Sequence, residues 1–321
     1  MPENPTSPPL GAHWCAVVVN PSKVDDRLDD IEELVTAATD TLGWSKPRMW
    51  HTTVEDNGIA QTREALAAGA SLVLAIGGDG TVRTVAGVLA GTGVPLGIVP
   101  MGTGNLLARN LWIPVNDLEA SIEEAVTGHT ASIDVARVHA VRAGGEVIEE
   151  TSVVMLGVGF DAEVFDNVDE KLKGRIGWAA YVATGLPRMV GTLVPVRLTL
   201  DGRRPTVRKV RSVVVASCGT LTGGVVLLPD AHYDDGIADI LVVAPKGIAG
   251  WLSIIGWALR KTRAKHGLVR HLTARTVRIE SDRPIPAQID GDSIGEVVRM
   301  DVVMEHRTLD VKVSRIGEIP I

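Results

Sequence analysis

Hydrophobic residues in the first part of the chain alternate between continuous runs and helical spacing. The segment WCAVVVN at 14–20 is a continuous apolar run, which is typical of a strand buried on both faces of a parallel sheet. The next segment, 25–44, carries apolar residues three and four positions apart and acidic residues in its first turn. These two patterns predict a buried strand followed by an amphipathic helix.

The same alternation continues to about residue 130. Further strands are predicted at 48–52, 71–77 and 95–100, and further helices at 59–69, 81–91, 103–111 and 117–128. A βαβα order predicts a doubly wound, Rossmann-like α/β domain, in which ligands bind at the carboxyl ends of the strands.

From about residue 131 most segments alternate as strands do. They are 134–140, 146–159, 194–202, 208–218, 237–244, 276–281 and 296–305. Two helices are predicted among them, near 164–190 and 246–265. The second part is therefore predicted to be a β-rich, sandwich-like domain.

Composition narrows the class of protein. A chain of 321 residues is long enough for two domains. Its net charge of −7 argues against a nucleic-acid partner. The cysteines, Cys15 and Cys218, form no CxxC pair, which suits a reducing, cytoplasmic compartment. The N-terminal segment has neither the basic nor the apolar region of a secretory signal, and we expect no membrane-spanning segment.

The most informative motif is GGDGT, at 77–81, between a predicted strand and a predicted helix. Bare glycines let backbone N–H groups approach phosphate oxygens, and the start of a helix favours negative charge. We expect Thr81 to cap the helix and Asp79 to hold a divalent cation or a lysine. A tight turn with an aspartate cap is the structural alternative.

A second glycine-rich loop, PMGTGN at 100–105, follows the next strand. Thr103 offers a hydroxyl to phosphate, and Asn105 is suited to capping a helix or binding a ligand. Arg109 either forms a surface salt bridge or contacts a ligand. NPSK, at 20–23, ends the first strand, so Asn20 and Lys23 are expected beside the same loops, although taken alone the segment is better explained as a loop start with a solvated lysine.

Three later segments carry candidate chemistry. DAHYDDGIAD, at 230–239, clusters carboxylates that could wrap a hard cation or form an acidic turn. AQIDGDSIG, at 287–295, predicts a hairpin with Asp290–Gly291 at its tip, and Asp292 beyond it is a candidate general base. GVGFDA, at 157–162, mimics a dinucleotide fingerprint but lies outside any βαβ unit, so we do not interpret it as one.

One segment is basic although the chain is acidic overall. Residues 240–279 hold eight Lys or Arg and no Asp or Glu. An amphipathic helix with Trp251, Ile254, Ile255 and Leu259 on one face would suit an anionic membrane surface. A helix packed on the β-rich domain is the alternative.

Taken together, GGDGT, PMGTGN, GVGFDA, the DDG turn and the late DG hairpin resemble, in this order, the diacylglycerol kinase catalytic-domain family. This family includes sphingosine kinases and is distantly related to NAD kinases. The resemblance covers nearly the whole chain. It implies a nucleotide-binding domain at 1–131, a lipid-substrate domain at 132–304, an active site in the cleft between them, and a return of 305–321 to the first domain.

The resemblance also implies site residues, with ATP and Mg²⁺ as cofactors. Those of the ATP site would be Asn20, Pro21, Ser22, Lys23, Thr52 or Thr53, Gly77, Gly78, Asp79, Gly80, Thr81, Val82, Arg83 and Thr103. Asp79 and Asp292 would be catalytic. Asp79 would help to assemble the catalytic centre with magnesium, whereas the DDG turn would hold a structural magnesium ion through the Asp235 carboxylate and the carbonyl groups of His232 and Ile237.

The chain departs from the family pattern in two places. The family's first loop commonly has the form NPxSG, whereas here it is NPSK. The late hairpin commonly has the form DGE, and here Asp292 stands where the family has its glutamate base. Asp79 is the alternative base.

The function implied is an ATP-dependent lipid kinase that phosphorylates the primary hydroxyl of diacylglycerol and yields phosphatidic acid. We expect it to act on membrane lipid as a cytoplasmic, peripherally associated protein, and exposed sheet edges make a homodimer plausible. A kinase of a soluble substrate and a non-catalytic nucleotide- and lipid-binding protein are the alternatives.

Overall fold

The computed structural model describes residues 13–24, 26–53, 56–159, 192–220, 227–245, 247–259 and 267–314. They form two compact units. Unit 1 contains the described residues of Met1–Ile133 and Arg307–Pro320, and unit 2 contains those of Asp134–His306. The predicted helix near 164–190, the last three residues of GVGFDA and the basic residues 260–266 lie outside the described residues.

Unit 1 alternates strands and helices along the chain. Its elements are β1 (Trp14–Val19), α1 (Pro21–Val24), α2 (Leu28–Thr41), β2 (Ser45–His51), α3 (Ile59–Ala67), β3 (Leu72–Gly77), α4 (Asp79–Leu89), β4 (Leu96–Pro100), α5 (Leu106–Asn110) and α6 (Leu118–Thr127). The strands are parallel in the order β2–β1–β3–β4. All residues of β1, β3 and β4 are buried.

Helices cover both faces of this sheet. On one face α2 packs against α6, over a core of Val17, Val19, Leu74 and Ile76 from the strands. Elsewhere α3 packs against α4, and α4 against β3. Burial on both faces explains why these strands are continuous apolar runs. The predicted doubly wound α/β fold is confirmed.

Unit 2 is built mainly from antiparallel strands. The remaining elements are β5 (His129–Arg142), β6 (Val147–Ser152), β7 (Met155–Val158), β8 (Val194–Leu200), β9 (Thr206–Val210), β10 (Ser212–Ala216), β11 (Ala238–Val243), α7 (Gly247–Leu259), β12 (Val269–Ala274), β13 (Thr276–Ile289) and β14 (Asp292–Val313). The strands pair antiparallel in the order β12–β11–β10–β7–β13–β14, and β8 pairs with β13 and β9. The predicted β-rich fold is confirmed.

Two strands differ from their predicted extent. β12 was assigned to the basic segment and not predicted as a strand. β14 is far longer than the predicted 296–305, and beyond Arg307, whose φ is 51°, it belongs to unit 1. There Val311 pairs in parallel with Leu96 of β4, and Leu309, Val311 and Val313 are buried. Among the described residues, no helix has the length and apolar character needed to cross a membrane.

Candidate active site

The candidate nucleotide loops of unit 1 follow neighbouring strands. Because β1 is followed by β2 on one side and then β3 on the other, the topological switch point lies between β1 and β3. In doubly wound sheets such a point is the usual ligand site. Asn20 ends β1 and its N–H donates to the Ile76 carbonyl at 2.9 Å. NPSK therefore lies beside GGDGT, as the sequence predicted.

The NPSK segment forms the short helix α1. The side-chain oxygen of Asn20 accepts hydrogen bonds from the Ser22 N–H at 3.1 Å and the Ser22 hydroxyl at 2.8 Å. Asn20 and Ser22 therefore hold the turn together, whereas the Lys23 side chain is exposed. Lys23 is the member of this segment best placed to contact an anionic ligand.

The GGDGT loop enters α4 earlier than predicted. The helix begins at Asp79, its N-cap is Gly78, and no side chain among the described residues caps it. The prediction that Thr81 is the cap is wrong, because Thr81 is the third helical residue and is buried. A Cβ on Gly77 would lie 2.8 Å from the Thr81 hydroxyl oxygen, so the glycine allows strand and helix to pack closely.

The second loop is held by Asn105, which has left-handed backbone geometry with φ 47°. Its side-chain oxygen accepts from the Gly102 N–H at 3.0 Å, and its side-chain amide donates to the Gly102 carbonyl at 2.7 Å. The two glycine loops also approach closely, because a Cβ on Gly102 would lie 2.7 Å from the Gly78 Cα. A side chain at Gly102 would therefore separate the loops.

Asp79 joins the two loops directly. Its Oδ2 accepts the Asn105 N–H at 2.8 Å, and its Oδ1 accepts the Leu106 N–H at 2.6 Å. The sequence analysis assigned this carboxylate to a cation or a lysine. The structure gives it a further role as a brace at the start of α5. Arg109 also holds the second loop, because its Nε donates to the Gly104 carbonyl at 2.8 Å.

The two candidate threonines after β2 differ in their environment. Thr52 is buried, and its N–H donates to the Val19 carbonyl at 2.9 Å. The Thr53 hydroxyl accepts the Asp56 N–H at 3.0 Å. Asp56 caps α3 by accepting three backbone N–H groups, the first of them from Gly58. Burial acts to raise the pKa of Asp56, but these hydrogen bonds together lower it. Both threonines therefore help to fix the loop that ends β2.

The remaining nucleotide candidates lie on or beside the loops. Gly80 and Arg83 are partly exposed in the first turns of α4, and Thr103 is exposed between the glycines of the second loop. Val82 is buried, so its side chain contributes to packing and only its backbone is a candidate contact. Pro21 begins α1.

Sequence reasoning missed a cavity beside the second loop. Its volume is about 280 Å³, and it is lined by Lys23, Arg27, Pro100, Met101, Gly102, Val115, Asn116, Asp117, Leu118 and Ser121. Lys23 and Arg27 bring positive charge to it. A signal was present in the sequence, since Arg27 follows Lys23 by only four residues.

In unit 2, Asp292 is the first residue of β14 and is exposed. It pairs with Ile289 across a turn formed by Asp290 and Gly291, so the predicted hairpin is observed. Asp290 was dismissed as a turn residue, yet it is buried. This residue is the most informative omission in the sequence analysis.

The DDG turn is fixed by a second buried carboxylate. Asp134, 1% exposed, accepts the Gly236 N–H at 2.6 Å, contacts the His306 ring nitrogen at 3.1 Å, and donates its own N–H to the Tyr233 carbonyl at 2.7 Å. Gly236 has φ 73°. No local pattern indicated these contacts, because Asp134 is about a hundred residues away along the chain.

The donor chemistry of this turn fits magnesium. Asp235 is exposed, and one of its oxygens accepts the Ile237 N–H at 2.9 Å. The second oxygen of Asp235 and the carbonyl groups of His232 and Ile237 are hard oxygen donors, which Mg²⁺ prefers. No group of three His, Cys, Asp or Glu side chains suited to a metal occurs among the described residues. A site here would therefore depend on carbonyl and water ligands.

A histidine and a buried carboxylate meet next to this turn. His271 Nε2 lies 2.5 Å from Asp239 Oδ1, and Asp239 is 4% exposed. Burial raises the pKa of Asp239, and the hydrogen bond from His271 opposes that rise. This contact joins β11 to β12 behind the DDG turn.

The helix α7 has one packed face and one exposed face. Trp251 and Ile254 are 4% and 7% exposed, so these two residues of the predicted membrane face are buried. Ile248 and Leu252, one helical turn apart, are 50% and 56% exposed. The apolar surface available to a membrane is thus formed by different residues from those predicted.

The doubly wound unit with braced glycine loops and the β-rich unit define a kinase fold of two units. The family model for the diacylglycerol kinase catalytic domain matches residues 15–138. The model for the YegS C-terminal NAD kinase beta sandwich-like domain matches residues 152–311.

Individual relatives agree with these matches. A diacylglycerol kinase of Mycobacterium tuberculosis is 30% identical over 71% of this chain and 72% of its own length. A "Probable lipid kinase YegS-like" of Pseudomonas putida is 32% identical over 72% of this chain and 73% of its own. The crystal structure of a diacylglycerol kinase from Bacillus anthracis has a TM-score of 0.71 at 23% identity, covering 96% of this chain and 99% of that one. The chain belongs to the diacylglycerol kinase family.

Proposed function

We propose that the protein transfers the γ-phosphoryl group of ATP to the primary hydroxyl of diacylglycerol in a membrane and produces phosphatidic acid. The observation that carries the proposal is the pair of glycine loops at the switch point of unit 1, braced by Asp79, in a chain of the diacylglycerol kinase family. The names of relatives support a lipid acceptor.

The nucleotide phosphates would bind at the start of α4. Gly78 and Gly80 leave the backbone accessible, no described side chain caps the helix, and the helix dipole favours negative charge there. Lys23 would add a positive charge from the end of β1. Phosphoryl transfer depends mainly on such positioning and charge neutralisation.

The acceptor step requires a base. The hydroxyl oxygen of the lipid forms a bond to the γ-phosphorus, the bond from that phosphorus to the bridging oxygen breaks, and ADP leaves. Asp292 accepts the hydroxyl proton, since its carboxylate is exposed on a fixed hairpin. Asp79 is less suited to this step because its oxygens already accept backbone N–H groups.

Magnesium would be held at the DDG turn by Asp235 with the carbonyl groups of His232 and Ile237. When bound, it would neutralise the oxygen donors of the turn and hold the turn in place. The residues of this chain contribute the shape of the turn, which Asp134 fixes through the Gly236 N–H.

Peripheral association with the cytoplasmic membrane surface is part of the proposal. Ile248 and Leu252 form an exposed apolar pair on α7, and the segment that contains them is basic. Apolar side chains with nearby basic residues favour binding to anionic lipid surfaces.

The test is phosphoryl transfer by the full chain, with γ-labelled ATP, magnesium and diacylglycerol in anionic or neutral vesicles, and with soluble dinucleotides as competing acceptors. We expect lipid label that is greater with anionic vesicles. Asp292→Ala should lower the rate of lipid labelling by about 10²- to 10⁴-fold, whereas the control Asp282→Ala, which removes an exposed ion pair to Arg197, should retain it. Label in the dinucleotide alone would contradict the lipid acceptor, and a rate of lipid labelling in Asp292→Ala close to that of the wild type would contradict the base.

A further inference from the structure

The tip of the β13–β14 hairpin contains a carboxylate that its turn does not require. Asp290 is 5% exposed and has left-handed backbone geometry with φ 49°. Burying a carboxylate is costly unless hydrogen-bond donors replace water. The donors that surround Asp290 therefore indicate what it does.

Those donors come from the segment between β6 and β7. Asp290 Oδ1 accepts the Ser152 hydroxyl at 2.7 Å and the N–H groups of Val154 and Met155 at 3.0 and 2.8 Å. Its Oδ2 accepts the Val153 N–H at 2.9 Å, and its own N–H donates to the Met155 carbonyl at 2.7 Å. Five hydrogen bonds thus join one turn residue to residues 152–155.

A second Asp–Gly turn in unit 2 shows that the turn alone does not explain this arrangement. Asp201 and Gly202 connect β8 to β9, and Asp201 is also left-handed, with φ 50°. The Asp201 carboxylate is exposed and accepts only the N–H groups of Arg275 and Thr276 in its described contacts. The same dipeptide can therefore turn the chain without a buried carboxylate.

We propose that Asp290 is a positioning residue for Asp292. The backbone before Asp290 is fixed because Ile289 is fully buried and pairs with Leu156 of β7. The hydrogen bonds of Asp290 extend this attachment by one residue. The backbone is therefore fixed two residues before the exposed Asp292 carboxylate, which limits where that carboxylate can lie. The inference rests on the proposed function, in which Asp292 accepts the proton of the lipid hydroxyl.

The predicted consequence is a loss of rate without a comparable loss of nucleotide binding. Asp290→Asn keeps the size of the side chain but places an amide group among backbone N–H donors, so the hairpin tip must shift. A displacement of about 1 Å at a catalytic group can lower the rate by about 10²-fold. We expect kcat to fall about 10- to 100-fold and the KM for ATP to change less than about 2-fold.

The decisive experiment is a double-mutant cycle with lipid label as the readout. If Asp290 acts through Asp292, Asp290→Asn should lower kcat in the wild-type background and change the residual rate of Asp292→Ala by less than about 2-fold. Equal losses in both backgrounds, or no loss in a folded Asp290→Asn variant, would overturn the proposal. Asp201→Asn is the matched control, and it should retain the kcat of the wild type.

Two further measurements test the proposal if Asp290→Asn does not fold or if the protein labels no lipid. If Asp290→Asn does not fold, Ser152→Ala removes one donor and should lower kcat in the same direction. Amide hydrogen exchange at 153–155 should become faster in whichever variant folds, and unchanged protection would overturn the attachment itself. A wild-type protein that labels no lipid would instead contradict the proposed function, whatever the exchange shows.

Discussion

Alanine in place of Gly104 tests the brace between the two glycine loops with a single methyl group. The Cβ of such an alanine would lie 2.6 Å from Asp79 Oδ2, whereas ordinary contact begins at 3.4 Å. The carboxylate must therefore move by about 0.8 Å, the difference between these distances. Gly104 does not have a left-handed φ, so the effect comes from the contact alone.

The displacement breaks or weakens the hydrogen bonds of Asp79 to Asn105 and Leu106. Loss of one hydrogen bond to a charged group costs about 1.5–3 kcal/mol of stability. For a protein of 321 residues that corresponds to a fall in melting temperature of roughly 2–5 °C. A shift approaching 1 Å at the phosphate loops should also lower kcat/KM for ATP by about 10- to 100-fold.

Thermal unfolding and phosphoryl transfer measure the two effects on the same preparation. Gly144→Ala is the control, because a Cβ at Gly144, in the turn between β5 and β6, meets no heavy atom within 4 Å. It should leave both quantities unchanged. If Gly104→Ala keeps the melting temperature and kcat/KM of the wild type, the brace assigned to Asp79 does not control the loops.

Three further changes have expected outcomes. The Thr276 N–H is the main group that lowers the pKa of Asp201, so this carboxylate stabilises the fold at pH values above its ordinary pKa. The difference in melting temperature between the wild type and Asp201→Asn should therefore shrink as the pH falls below about 4. A difference that stays constant with pH would contradict this. Burial raises the pKa of Cys218 to about 12 and also raises that of Cys15. A thiol reagent at about pH 8 should therefore label neither cysteine until the protein is unfolded. Labelling of the folded protein would contradict the burial of the two thiols. Trp112 is 60% exposed with φ 61°; Trp112→Gly relieves the left-handed backbone by about 0.5–1 kcal/mol but removes the buried part of the ring, which contributes about 2 kcal/mol. The free energy of urea unfolding should therefore fall by about 1–2 kcal/mol, and an increase would show that the backbone effect dominates.

Much of the fold could be predicted because local patterns determine it. Strands buried on both faces, such as β1 and β3, are continuous apolar runs, and α2 shows an apolar stripe where it packs on the sheet. β12 was missed because its inward residues Val269 and Ala274 are separated by polar ones and the surrounding charges suggested a surface segment. In this strand tertiary pairing with β11 prevails over a weak local pattern.

The candidate site could be predicted only where the chemistry is local. GGDGT and PMGTGN are recognisable because glycines cluster at the ends of neighbouring strands. The contacts that give the loops their shape are not local, since Asp79 binds the N–H groups of Asn105 and Leu106. The site residues themselves stay predictions until they are tested by substitution.

Long-range carboxylates were the main omission. Asp290 binds residues 152–155, and Asp134 binds Gly236. In each case the aspartate resembles an ordinary turn or strand residue in the sequence, and its burial depends on a segment more than a hundred residues away. Periodicity and spacing do not carry that information.

Mass spectrometry of the lipid fraction tests the central claim most directly. The full chain would be incubated with ATP, magnesium and vesicles that contain diacylglycerol, and the lipids would then be extracted and compared with those from Asp292→Ala. The account predicts that diacylglycerol gains one phosphate on its primary hydroxyl with the wild type and does so at least about 10²-fold more slowly with the variant. Unchanged diacylglycerol in the presence of bound ATP would contradict it.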